Sequence, residues 1–442
     1  MNYLIIAVFL GPLAWRLFTN HKQGVCWAVF LLIALSANPV ILSGGAMPNF
    51  SLQRLILMVL LIAAAKNHQL LQENHIVPLK SALVLYALVN LLPMIFTIDL
   101  MMSIKSYLSF TIEIVLFYFV IASSIDSRED ARRIVFSCTA ALLTVGIISL
   151  TERFTHFNPV DAFMPGYVRK PLYANDILST FPHRILLGTA MAMGWPLALA
   201  FAQAEKARRW AWWIGIGVLL LSCYFSFSRG PWIAAMFAGV AMFLFAGSAV
   251  RRQTSMIVIL IFIALVMRPG VWETLSASAH DTANTDSFKG QTYQYRWELW
   301  GIAWRKISQS ATRILFGFGQ GSTEVMTFET ELSYTTETTT LWSWDNHYAA
   351  TLFETGLVGL LSFAGLYGLF LFKILRSRIS VAEEDKTLHV AIMAAMGVLL
   401  FMMTNVAIFA PQLNYLIWAL IAAGLRLGSD DTKEAYADTA GY

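Results

Sequence analysis

Charge is scarce in this sequence. Asp, Glu, Lys and Arg together make up 13% of its 442 residues, where a soluble globular chain carries about a quarter. That share excludes a solvated surface over most of the chain. With 57% hydrophobic residues and a mean hydropathy of +0.61, it places the chain among integral membrane proteins. Cysteine is nearly absent: Cys26, Cys138 and Cys223 fall in or beside apolar runs, with neither metal-ligand spacing nor a disulfide framework, and read as small core residues. No basic stretch precedes the first apolar run, which reads as a retained span and not a cleaved signal peptide. No solenoid repeat is visible. The net charge of +4 says little, because in a membrane protein the distribution of charge decides more than the total; no nucleic-acid partner is expected.

Long apolar runs are what the sequence has instead. A helix crosses a bilayer with about 17–25 apolar residues, and thirteen candidate spans follow: 2–18, 25–43, 54–66, 80–98, 101–124, 131–150, 184–203, 209–227, 231–249, 254–269, 347–372, 388–408 and 411–426. The expected fold is an all-α polytopic membrane protein of 12–13 spans, with a transmembrane domain over 1–427 and a polar, disordered cytoplasmic tail at 428–442. Lys and Arg accumulate in alternate loops, as in Arg16 and Lys22, Arg128 to Arg133, Lys206 to Arg209, Arg251 and Arg252, and Lys373 to Lys386. By the positive-inside rule these loops face the cytoplasm. The 151–183 loop, the 227–230 turn and the long 270–346 segment then face out, and the bilayer is the chain's first partner.

Three outer segments carry unusual chemistry: FPHRILLG with Arg184, SFSRGPW with Ser228 and Arg229, and WDNHYAATLFETGLVG with Asn346, His347 and Glu354. Each opens a span running inward, so three helix N-termini share one face. Such an end offers free N–H donors and partial positive charge. An arginine beside it can clamp a phosphate with its planar fork. Pro231 suits the first helical turn, and Ser228 or Ser226 is placed to cap or orient it. Arg229 taken alone also reads as a snorkelling interface anchor.

His347, Thr351 and Glu354 share a helical face, with Glu354 about 10 Å deeper along a straight helix. His347 reads either as an interfacial histidine or as a general base kept neutral by nearby arginines and its helix end. Glu354 reads as a buried partner or a substrate ligand. Glu113, in mid-span, must face the bundle interior.

The long outer segment contains QTYQYRWELWGIAWRKI, an amphipathic helix whose Tyr293, Trp297, Trp300, Trp304 and Ile307 form a stripe suited to packing or to the interface, flanked by Arg296. The stretch at 317–322 is a glycine-rich turn without the lysine of a P-loop, and 327–340 reads as an outer loop or short hairpin.

At these residues the chain resembles the O-antigen ligase and polymerase superfamily. The resemblance covers roughly 180–365 and rests on the ordered series of Ser228-Arg229 opening a span, Arg296 before a Trp-rich helix, the Gly317–Gly321 turn, and Asn346-His347 opening a span followed by Glu354 and Gly356. It implies metal-independent, cofactor-free glycan transfer from undecaprenyl diphosphate at the periplasmic face of the bacterial inner membrane. Arg229 and Arg296 would bind the diphosphate and His347 would be the essential histidine. Arg184, Ser228, Asn346 and Glu354 are further candidate substrate contacts. The acceptor would be lipid A core for a ligase, or a lipid-linked repeat unit for a polymerase. Two other classes remain in view: a metal-dependent protein oligosaccharyltransferase, for which Glu329 and Glu331 could be offered as ligands although their polar loop favours solvation, and a lipid-linked glycan flippase, which needs charge along a central path.

Overall fold

The structure, a computed structural model, describes residues 2–36, 40–44, 47–67, 77–160, 177–267, 288–332, 335–340, 343–379, 381–408 and 410–428. From residue 429 on, the expected tail lies outside the described residues, as do 161–176 and 268–287 of the two long outer loops.

A helix stands at each of the thirteen apolar runs: Asn2–Thr19, His21–Ala34, Leu52–Lys66, Lys80–Val89, Leu100–Ser123, Arg128–Thr155, Arg184–Ala204, Arg209–Phe225, Arg229–Phe245, Ser248–Val266, His347–Ser377, Lys386–Met402 and Pro411–Leu427. Several starts are set by side-chain caps. Ser51, Asp99 and Ser127 accept from the backbone N–H groups of Arg54, Met102 and Asp130, each cap being worth about 1 kcal/mol. Among the described residues, four helices are long and apolar enough to cross a membrane by length and composition: Leu100–Ser123, Arg128–Thr155, Arg184–Ala204 and His347–Ser377. Val8–Thr19, His21–Ala34, Lys80–Phe96, Arg229–Phe245 and Lys386–Met402 are apolar but shorter. Leu85, Phe237, Leu244, Phe262, Leu361 and Phe372 stand exposed on these helices. Leaving such side chains in water would forfeit about 1.5–3 kcal/mol each, so this surface belongs against lipid.

Arg184–Ala204 is the core helix, with 94% of its apolar window buried. It packs on Arg209–Phe225, Arg229–Phe245 and Lys386–Met402. Its small residues allow the approach: a methyl group added to Gly188 would come within 2.8 Å of Pro231 Cγ.

Four runs depart from single straight helices. The 25–43 run is helical only to Ala34, and Val40–Gly44 pairs with Met47–Ser51 as an antiparallel hairpin; Pro39 disfavours helix at the residue before it. In the 80–98 run the α-helix ends at Val89 and a 3-10 turn follows over Leu92–Phe96, where Pro93 has no N–H to give. The 388–408 run is helical to Met402 and irregular from there. The 347–372 run is broken at Gly356, which has φ 66° and ψ −168°.

The fold is helical as expected, with two short hairpins added to it. The first was not expected from the sequence; the second, Thr327–Leu332 with Thr335–Thr340, is the hairpin reading of the threonine-rich stretch, whose β-branched side chains favour strands.

The basic loops gather at one end of the helices. Lys22 bridges Asp126 at 2.7 Å and Asp130 at 2.6 Å, Arg132 meets Asp385 at 2.6 Å and also Glu384, and Arg426 donates to the Asp126 carbonyl. Glu113 sits in a π-helical turn, Thr111–Leu116, with 15% of its side chain exposed and Oε1 3.6 Å from Arg54 Nε.

Candidate active site

The break at Gly356 reshapes the site. On a straight helix His347 and Phe363 would lie about 24 Å apart, yet their ring centroids are 5.4 Å apart, and Tyr348 lies 6.0 Å from the same ring. Residues 347–355 thus form a short helix folded back on the 357–377 helix. Glu354 is not two turns deeper in a straight span, as the sequence suggested; it is at the bend.

Glycine makes the bend possible. A methyl at Gly356 would lie 2.3 Å from the Leu315 carbonyl group, and one at Gly317 (φ +68°) would lie 2.6 Å from Glu354 backbone. The two backbones interlock: Phe318 N donates to Phe353 O at 3.0 Å and Gly319 N to Glu354 O at 2.9 Å. Both carboxylate oxygens of Glu354 are engaged as well, one accepting from Gly321 N at 3.1 Å and the other from the Thr323 hydroxyl at 2.7 Å. Trp344 Nε1 completes the chain by donating to Thr323 Oγ1 at 3.0 Å. The N–H groups of the 317–321 turn that bond Phe353 and Glu354 are thereby spent on the protein itself and are not offered to a phosphate.

A second small core holds this layer together. Leu299, Ala303 and Ile307 are buried with Phe318, Trp344 and Phe353. They recur every four residues on Phe288–Ile307, and of the expected stripe only Ile307 belongs fully to this packed face. Trp300 shares the packing and donates Nε1 to Trp344 O at 3.0 Å, while Trp297 and Trp304 are more than half exposed. The expected stripe is split between packing and surface.

The charged candidates converge on a segment that sequence reasoning missed, 402–408. His347 N donates to Met403 O at 2.8 Å, and Ile408 N donates to His347 Nδ1 at 3.3 Å. Arg296 Nη2 lies 3.5 Å from Asn405 O, and Arg296 Nε 3.6 Å from the Asp345 carboxylate. Gly230, next to Arg229, packs on the same segment: a methyl there would be 3.1 Å from Met402 Cε and 3.9 Å from Asn405 Cγ. Thr404 and Asn405 break the helix locally. The Thr404 hydroxyl donates to Phe401 O at 2.7 Å and the Asn405 amide to Thr404 Oγ1 at 3.0 Å, in competition with the helical ladder. Two polar residues ending an apolar run were the available signal.

The three helix starts differ in what they leave open. His183 Nδ1 accepts from Ile185 N at 3.2 Å at the start that carries Arg184. Asn346 Oδ1 accepts from Ala349 N at 3.1 Å, so the amide of this candidate contact serves as a cap. Ser228 makes no cap, contrary to expectation. Its hydroxyl donates to Ser226 O at 3.3 Å, and Ser226 donates to Cys223 O at 2.7 Å. The start at Arg229 is the one of the three without a side-chain cap. The turn before it is tight, with Phe227 at φ 53°, a conformation non-glycine residues adopt rarely. Asp345, before Asn346, has φ 49°, and such strain gathers at functional sites.

No curated protein matches the chain. Residues 214–364, about a third of it, match the family model described as O-antigen ligase. That stretch holds Arg229, Arg296, His347 and Glu354, and leaves Arg184 and the 402–408 segment outside. Over residues 214–364 this membrane protein is similar to the O-antigen ligase family.

Proposed function

We propose that this protein transfers a glycan from undecaprenyl diphosphate to an acceptor sugar hydroxyl at the periplasmic face of the bacterial inner membrane, as an O-antigen ligase, without a metal and with inversion. The observation that carries the reading is the convergence of the Arg229 helix start, Arg296 and His347 on residues 402–408, all three candidates lying in the stretch that matches the O-antigen ligase family. Arg229 and Arg296 would hold the diphosphate, with Arg184 and Ser228 at the neighbouring helix starts. Asn346 and Glu354 act by position: one caps the helix of His347, the other clamps the turn beneath it.

The acceptor oxygen bonds to the anomeric carbon as the bond from that carbon to the diphosphate oxygen breaks. The electron pair leaves with the diphosphate, whose growing charge the arginines and the open helix end stabilise. The hydroxyl proton passes to a carboxylate, a part we assign to Asp345, which lies 3.6 Å from Arg296 and is 38% exposed. The lipid diphosphate is already activated, so no nucleotide is needed.

Gene deletion with glycan profiling tests the reading and separates its two forms. Loss of all attached glycan with accumulation of lipid-linked polymer marks a ligase. Long chains replaced by a single attached repeat mark a polymerase acting on a second lipid-linked unit. An unchanged profile removes the reading, and lipid-linked glycan trapped on the cytoplasmic side favours a flippase.

A further inference from the structure

We infer that His347 serves the reaction as a hydrogen-bond donor, through Nε2–H to the diphosphate of the lipid-linked donor, and not as the base that its sequence position suggests. The inference rests on the transferase reading above and assigns one residue's part in it.

Three contacts fix the imidazole. The backbone N–H of His347 is held by Met403 O at 2.8 Å, the ring meets Phe363 edge-on at 5.4 Å, and Nδ1 accepts the Ile408 N–H at 3.3 Å. The last contact selects the protonation state. A neutral imidazole has one proton for two nitrogens. With a backbone N–H pointed at Nδ1, that nitrogen must supply the lone pair, and the proton sits on Nε2. A ring protonated on both nitrogens would set two donors against each other. Turning the ring over would set a carbon against the N–H of Ile408, a residue 7% exposed, and leaving such a donor unpaired is costly.

In this state Nε2 has no lone pair with which to accept a proton. It has a proton to share, and among the described residues no hydrogen-bond partner for Nε2 is present. The neighbourhood fits an acceptor-only ligand. Arg296 contributes its guanidinium, and the uncapped Arg229 start contributes a side chain and backbone N–H groups. A diphosphate presents only accepting oxygens, and Nε2–H would add a donor to the Arg296 guanidinium and the open Arg229 start, beside the Asp345 carboxylate that pairs with Arg296.

The two roles predict opposite binding results. A base acts on the acceptor, so its loss would leave diphosphate binding intact; a donor's loss would weaken it. The experiment measures the affinity of purified protein in detergent for undecaprenyl diphosphate without a glycan. Wild type is compared with His347→Ala, His347→Gln, Arg229→Ala and Arg296→Ala, and each variant's melting temperature is recorded. The expected result is a loss of about 10- to 100-fold for His347→Ala, the range of a hydrogen bond to a charged group. His347→Gln, whose amide donates near the Nε2 position, should bind far closer to wild type. If His347→Ala binds as wild type while the arginine variants do not, the donor role is wrong and the site stands. If the arginine variants also bind as wild type, the transferase site itself is wrong.

Nitrogen-15 NMR of histidine-labelled protein reads the ring state directly and does not depend on the alanine variant folding. The His347 signals are identified by their disappearance in His347→Gln. Protonated Nε2 with unprotonated Nδ1 is expected; a proton on Nδ1 overturns the inference.

Discussion

Arg229 and Arg296 are the residues on which the proposed chemistry depends most. Both lie at the start of, or reach toward, a segment where backbone bends away from helix, and a guanidinium can bind two oxygens of one phosphate where an ammonium is a single point charge. Arg229→Lys and Arg296→Lys should each lower glycan transfer about 10²–10³-fold, the usual effect of losing one charge-stabilising donor. The check is an in vitro assay with a lipid-linked donor at matched protein level, and near-normal rates in both would remove them from the site. Glu354 should behave differently. Its two oxygens accept from Gly321 N and Thr323 Oγ1, so Glu354→Gln sets an NH2 group against a donor. A cost of about 1–3 kcal/mol is expected, read as a lower melting temperature together with reduced activity. Of the residues singled out in the sequence, the arginines and His347 stood out as polar groups opening apolar spans, and the structure brings Arg296 and His347 to one segment. Asn346, Ser228 and Glu354 were legible as positions only. Whether a polar side chain binds substrate or satisfies a backbone donor depends on neighbours that sequence spacing does not display.

At the scale of the element, the bend at Gly356 is the decisive feature. Gly356→Ala would force a non-glycine residue to φ 66° and drive a methyl into the Leu315 carbonyl group at 2.3 Å. This backbone conformation, open essentially to glycine alone, costs another residue about 1–3 kcal/mol. The variant should therefore lose activity through a displaced His347 and unfold at lower temperature, as a thermal melt in detergent would show; a wild-type melt with full activity would mean the fold-back is not needed. The sequence reads 347–372 as one uninterrupted span because twenty-odd apolar residues mask one glycine, and glycine within a helical pattern is common enough to pass unnoticed. The same masking hid 403–408, where Thr404 and Asn405 end the Lys386–Met402 helix within a run otherwise apolar. In lipid, irregular backbone is tolerated only where protein or a water-lined cavity satisfies its polar groups. Here Met403 O and Ile408 N are satisfied by His347, so the irregular segment and the histidine support each other.

At the scale of the whole molecule, the arrangement of charge carries the orientation. The basic loops meet at one end through Lys22, Arg132 and Arg426, while the loops at 177–183, 226–229, 345–347 and 403–408 meet at the other. Single cysteines placed at 206 and at 297 should therefore react oppositely with a membrane-impermeant thiol reagent in intact cells, with 297 labelled and 206 protected. The reverse pattern would invert the topology and put the site inside. Chelator should leave transfer unchanged, because the outer segments hold no run of His, Cys, Asp and Glu at metal-ligand spacing; activity lost with EDTA and restored by Mg²⁺ or Mn²⁺ would instead indicate a metal-dependent transferase.

The sequence by itself determined the membrane class, the places of the thirteen helices, the gathering of the basic loops at one end and the resemblance over 214–364. All of these are local or cumulative properties: hydropathy summed over a window, charge counted per loop, motifs in order along the chain. Only the tertiary structure decided that the His347 helix doubles back, that 402–408 is where the charged residues meet, and that Ser228, Asn346, Glu354 and one nitrogen of His347 are already committed within the protein. Those are questions of which donor faces which acceptor. The bonding partners involved lie as far apart as 296 and 405, or 347 and 408, and no periodicity in one dimension records a contact made across the fold.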